Sequence, residues 1–154
     1  MRTVEVLGVR VESESNSPLV LLHEPEQDRY VPIMIGAVEA TAIAFAQQGV
    51  VPPRPLTHDL MRDILESTGN DLVAVQITGV DDGVFYAELV LASGVRISAR
   101  PSDAIALALR TDAPVQCAES VLAAAGITPA SNTEAEIEQF REFLDHISPE
   151  DFGA

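Results

Sequence analysis

Three short stretches carry most of the residues able to do chemistry. Arg54-Pro55-Leu56-Thr57-His58-Asp59 and Arg100-Pro101-Ser102-Asp103 each gather an arginine, a hydroxyl and an acid within a few positions, and Gly36-Ala37-Val38-Glu39 supplies a further acid. His58 is the best general acid or base in the chain, because an imidazole titrates near neutrality. Glu39, Asp59 and Asp103 offer carboxylates of the kind that hold magnesium or manganese. Such a cation activates water and stabilises the leaving oxygen of a phosphodiester. Arg54 and Arg100 each precede proline, which holds their backbone extended. An arginine so placed at a helix start suits a bidentate clamp on phosphate. Thr57 and Ser102 add hydroxyls for the same substrate-binding role.

The same residues have a structural reading. A carboxylate in the first turn of a helix offsets unpaired N–H groups and the helix dipole, and that alone would explain Glu39 and Asp103. His58 and Asp59 fall in an exposed first turn about 100° apart, so they would not pair with each other. Arg54 and Arg100 would form ion pairs with Glu39, Asp59 or Asp103. His23 and His146 stand in no motif and read as surface residues. Cys117 reads as a small core residue. The chain has no glycine-rich phosphate loop, no zinc-spaced Cys/His set and no nucleophile elbow.

The elements that must position these groups follow from periodicity. Thr3–Glu12, Leu19–Leu22 and Tyr30–Ile35 read as strands, and Pro32 places the third at an edge or a bulge. A helix runs from Gly36 to about Gln48 and stops at Gly49. Three prolines keep 50–55 extended. Thr57 then reads as the N-cap of a second helix, with Leu56 and Met61 as a staple and Leu60, Met61, Ile64 and Leu65 as its buried stripe. Leu72–Val80 and Val84–Leu91 form a hairpin across Asp81-Asp82-Gly83. Val95–Ala99 is a further strand. The helix after Arg100 has no polar residue from Ala104 to Leu109, which marks it as interior. Pro114–Cys117 is a short strand and Ala118–Ala125 a small helix.

Ile35–Ala46 also aligns without a gap on Ala99–Arg110, with Glu39 falling on Asp103. The expected architecture is therefore α/β (α+β): one compact domain over 1–127, built from two β-β-β-α repeats with an extra helix between them. Residues 128–154 read as a linker and an acidic C-terminal helix. That helix starts at the Thr133/Glu136 capping box and shows an apolar stripe of Ile137, Phe140, Phe143, Leu144 and Ile147. It would pack on its own domain or bind a protein partner.

Composition narrows the classes. With 154 residues, one core is the default. The formal net charge of −15 lacks the basic footprint of most nucleic-acid binders. There is no lysine, so arginine is the only strong cation. A single cysteine excludes an internal disulfide, and with no signal peptide and no membrane-length apolar run the expectation is a cytoplasmic protein.

At the Arg54–Leu60 and Arg100–Ala108 motifs the chain resembles the bifunctional nuclease domain family. The likeness extends from Val4 to about Ile127, including Ile33-Met34-Ile35-Gly36, Glu39-Ala40 and the Asp82–Leu89 hairpin. The resemblance implies a compact α/β domain, often a homodimer, and plant members are described as nucleases acting on RNA and DNA. The expected function is hydrolysis of phosphodiester bonds in RNA or DNA, assisted by a divalent metal. Glu39, Asp59 and Asp103 would be ligands or water-positioners, His58 the acid/base, and Arg54 and Arg100 the phosphate clamps. The competing expectation is a non-catalytic regulatory or scaffold protein that uses the same arginine–acid pairs as structural clips.

Overall fold

Residues 2–34 form an antiparallel meander of β1 (Arg2–Glu12), β2 (Ser17–Glu24) and β3 (Arg29–Met34) in the computed structural model, which describes residues 1–12 and 14–129. A second meander comprises β4 (Leu72–Asp81), β5 (Val84–Leu91) and β6 (Arg96–Ala99). The short strand β7 (Val115–Cys117) joins them, antiparallel to β1 and parallel to β4. The result is one seven-stranded mixed sheet in the order β3-β2-β1-β7-β4-β5-β6. Pro32 lies on the edge strand β3, where a missing ladder donor costs least. The other edge, β6, is only four residues long, which limits unwanted pairing.

β1 serves both halves. It pairs with β7 through Arg2–Val4 and with β2 through Glu5–Glu12, with a register shift between Val6 and Gly8. Gly8 has φ +134°, a conformation open to glycine and strained for other residues. This bulge lets one strand turn from one partner set to the other.

Four helices complete the domain: α1 (Ala37–Gln48), α2 (Thr57–Ser67), α3 (Pro101–Thr111) and α4 (Glu119–Ala125). α3 is the centre. It packs on α1, α2, β4 and β5, and Ala104–Ala108 are all at most 1% exposed. The small alanines let α3 approach the sheet closely, where Val75, Ile77 and Leu89 meet it in one core cluster. α4 is tied down by charge. Arg29 donates to Glu24, which is almost fully buried, and makes a two-pronged bond to Glu119 at the start of α4. A bridge between Tyr30 and Ile127 fixes the chain beyond α4.

The mixed α+β single domain is as expected, and each meander is followed by a helix. β7 and α4 belong to neither β-β-β-α unit, so the repeat description leaves out the strand that joins the halves. α2 departs from expectation. Its N-cap is Leu56 rather than Thr57, and Thr57 is the first helical residue. Of the expected stripe, Met61 and Leu65 pack on the core, whereas Leu60 and Ile64 are 49% and 53% exposed. His58 and Asp59, expected in an exposed turn, are buried where α2 packs against α3. Among the described residues no helix is long and apolar enough to cross a membrane. The expected C-terminal helix lies outside the described residues.

Candidate functional site

Glu39, Asp59 and Asp103 share one local position. Gly36, Leu56 and Arg100 are the N-caps of α1, α2 and α3, so each acid is the third residue of its helix. None of the three caps uses a side chain to satisfy the first N–H groups. An acid in the first turn is then the available electrostatic partner for those groups. The three helix starts nevertheless use their acids differently.

Asp103 is a hub. Its Oδ1 lies 2.9 Å from Nε2 of His58, and its Oδ2 accepts from Nε and Nη2 of Arg100 at 3.0 and 2.8 Å. Arg100 Nη2 also donates to Glu39 Oε1 at 2.6 Å. One chain of polar contacts therefore links α2, α3 and α1: His58–Asp103–Arg100–Glu39. Burial pushes the Asp103 carboxyl up, but the hydrogen bonds from His58 and Arg100, with their charges, outweigh it and hold the group below the ordinary carboxylate range.

Within this chain the members differ in freedom. The side chains of His58 and Glu39 are 9% and 14% exposed, whereas that of Arg100 is 67% exposed. Arg100 is the most exposed member of the chain, and its side chain has room to turn towards solvent. When Nε2 of His58 carries the proton, it donates to Asp103 and leaves Nδ1 as an acceptor. Among the described residues Nδ1 has no hydrogen-bond partner. Asp103 thus orients the imidazole as the carboxylate of a catalytic triad orients its histidine. His58 also lines an apolar groove of about 660 Å³ between α1 and α2, with Thr57, Phe45 and Leu60.

Asp59 is engaged elsewhere. Its Oδ2 accepts the backbone N–H of Leu56 at 3.0 Å and its Oδ1 accepts Nε of Arg110 at 2.8 Å. Burial pushes its carboxyl up as well, and the Leu56 N–H and the Arg110 guanidinium bring it below the ordinary range. Arg110 was not among the expected site residues. It donates to Asp59 of α2, to the carbonyl of Ala42 in α1 and to that of Ala106 in α3. One buried guanidinium therefore locks together the three helices that carry the polar chain. The signal lay in the sequence: a lone arginine closing an apolar helix must find a partner, because arginine is almost never buried unpaired.

The remaining expected residues divide. Arg54 is exposed and has no ion-pair partner among the described residues. Thr57 is exposed at the rim of the His58 groove. Ser102 is 5% exposed and lines a second cavity together with Arg100. Cys117 is fully buried, as expected of a core residue. Among the described residues no three His, Cys, Asp or Glu side chains are grouped as a metal cage. Glu39 and Asp103 come close enough to share one guanidinium nitrogen.

Comparison with known proteins identifies the family. The chain is 50% identical over 163 residues to an uncharacterised protein of Mycobacterium tuberculosis, covering 100% of this chain and 99% of that one. It is 27% identical over 117 residues to bifunctional nuclease 1 of Oryza sativa subsp. japonica, across 72% of this chain. It is also 27% identical over 107 residues to bifunctional nuclease 2 of Arabidopsis thaliana, across 66% of this chain. The chain spans about a third of the length of these plant relatives, 35% and 32%. Residues 20–130 match the bifunctional nuclease domain, a span that runs from within β2 through α4 and includes every residue of the polar chain, and the protein belongs to the bifunctional nuclease domain family.

Proposed function

We propose that this protein hydrolyses phosphodiester bonds of RNA or DNA at the His58–Asp103–Arg100–Glu39 chain. The observation that carries the reading is the oriented imidazole: His58 is held by Asp103 and keeps one ring nitrogen free beside an open groove. That nitrogen takes a proton from the attacking water or hydroxyl, and the imidazolium formed is stabilised by Asp103. Arg100 turns from its acids to the non-bridging phosphate oxygens as substrate arrives. The unpaired Arg54 supplies a second positive charge from the α1–α2 connection.

The charges at this site favour a divalent cation. With His58 neutral, two carboxylates face one guanidinium. Magnesium commonly binds through one or two carboxylates, several waters and substrate phosphates rather than in an all-protein cage. Glu39 and Asp103, which share one Arg100 nitrogen, are the residues that would hold it. Such an ion would neutralise phosphate charge and lower the pKa of a bound water. Asp59, with both oxygens engaged, is a positioning residue in this reading. Ser102 and Thr57 contact substrate on either side of Arg100.

The test is hydrolysis of labelled single-stranded RNA and DNA with magnesium, with manganese and with chelator. His58→Ala, expected to lose about 10²–10⁴-fold in kcat, and Asp103→Ala are run beside the wild type after their folds are checked. Equal activity in all three proteins, or none in any, overturns the proposal.

The protein is also proposed to be a homodimer. Leu60 and Ile64 of α2 are 49% and 53% exposed, and with Leu56 and Val38, which line the His58 groove, they form an apolar face on which a second copy would wall that groove rather than fill it. An apolar face of this kind on a soluble domain marks an interaction surface.

A further inference from the structure

We propose that the cavity beside Arg100 holds the base of an unpaired nucleotide, making the site selective for single strands over duplexes. This rests on the phosphodiesterase reading, which places the adjoining phosphate at Arg100. The cavity measures about 500 Å³, within the roughly 300–1,000 Å³ typical of small-ligand sites. It lies between the end of β3, the β4–β5 turn and the start of α3. Ile33, Ile35 and Phe85 wall it, Met34 and Val84 stand at its rim more than half exposed, and Arg100 closes one side.

Two observations define what fits. The first is Ser102. The residue is 5% exposed and lines the cavity, and among the described residues its hydroxyl has no hydrogen-bond partner and is accessible rather than sealed off. As the second residue of α3 it also presents a backbone N–H without an intrahelical acceptor. A recessed but accessible donor and acceptor in a largely apolar slot suits a ligand that is flat, neutral and polar at its edge. The second observation is charge. Among the described residues Arg100 is the only ionisable one lining the cavity, and the rest of the lining is neutral. A free phosphate would gain little in the slot itself. A nucleobase would gain the face of Phe85 and the hydroxyl of Ser102, as unpaired bases do on aromatic platforms.

Geometry then sets the selectivity. Arg100 lines this cavity and is joined through Asp103 to His58, which lines the α1–α2 groove. A base seated against Ser102 brings its own phosphate to Arg100 and so towards His58. A base in a duplex would first have to leave its stack.

The test is binding of uridine 5′-monophosphate to the wild-type protein, followed by amide NMR without metal and without turnover. Shifts confined to Ile35, Phe85 and Ser102 and their neighbours are expected. Val84→Trp fills the slot from an exposed turn position, and Ser102→Ala removes the hydroxyl. Each is expected to weaken binding tenfold or more. With a labelled oligonucleotide, Val84→Trp is expected to raise KM for single strands with kcat little changed. Shifts elsewhere, or binding unaltered in both variants, overturn the base site even if the protein hydrolyses RNA. Binding in the slot by a protein that hydrolyses nothing would instead overturn the phosphodiesterase reading and leave the base site standing.

Discussion

Replacing Asp59 by asparagine separates a positioning role from a direct chemical one. The carboxylate faces Arg110 across 2.8 Å, with the two side chains 12% and 6% exposed. Removing one charge of a buried pair leaves the other uncompensated, at a cost of about 3–5 kcal/mol. Arg110 keeps the carbonyls of Ala42 and Ala106, and asparagine can still accept the Leu56 N–H, which places this case near about 3 kcal/mol. At about 2–4 °C per kcal/mol for a chain of this size, Tm falls by about 6–12 °C. The acid side of the profile adds a second readout. The folded Asp59 carboxyl sits below its ordinary range, so its stabilisation is complete above the unfolded value of about 3.9 and is lost as pH falls through the lower folded value. The Asn variant has no such carboxyl, so the stability difference between the two proteins narrows below about pH 4. Calorimetry from pH 3 to 8 measures both effects. Pairing Asp59→Leu with Arg110→Met removes both charges and recovers most of the loss, because well-packed apolar replacements of a buried pair are often neutral. A Tm within about 2 °C of wild type for Asp59→Asn, with the double variant less stable than either single variant, would refute the reasoning.

Cys117 is fully buried and burial pushes its thiol up to about 12, so a thiol-specific reagent at neutral pH is expected to leave the native protein unlabelled and to react once denaturant unfolds it. Fast labelling under native conditions would contradict this packing. For the homodimer, sedimentation at micromolar concentration is expected to give twice the 16.5 kDa chain mass, and Leu60→Glu with Ile64→Glu is expected to give a folded monomer. A wild-type monomer, or a charged variant that still dimerises, would remove the α2 face as the interface.

The strands and helices were legible because their periods are local. Alternation marks β1, the Asp81-Asp82-Gly83 turn marks the β4–β5 hairpin, and the unbroken apolar run of Ala104–Leu109 marks α3 as interior. Element positions came within a few residues. The inner face of α2 was less legible: Leu60, Met61, Ile64 and Leu65 give a broad apolar stripe that does not say which side packs inward, and tertiary packing turns Met61, Leu65 and His58 in and leaves Leu60 and Ile64 outside. The clustering of Glu39, Asp103 and Arg100 followed from matching the two helix starts. The bond from Asp103 to His58 did not, because it depends on how α2 packs against α3. Arg110 was missed for the same reason: its partners come from two other helices, and no spacing in the chain relates them.

The place of β7 bears on how this protein comes to exist. Its three residues link the two halves of the sheet, and their partners Arg2–Val4 lie more than a hundred positions earlier. Until β7 emerges during synthesis, β1 and β4 each lack a neighbour on their inner edge. Long-range closure of this kind is slow, since the chain entropy must be lost before the pairing rewards it. Unpaired inner edges are what other chains can add to. The polar chain has the same dependence, because Glu39 belongs to the first half and Asp103 to the second. The half-made protein is thus both the most adhesive stage of its life and one without a site.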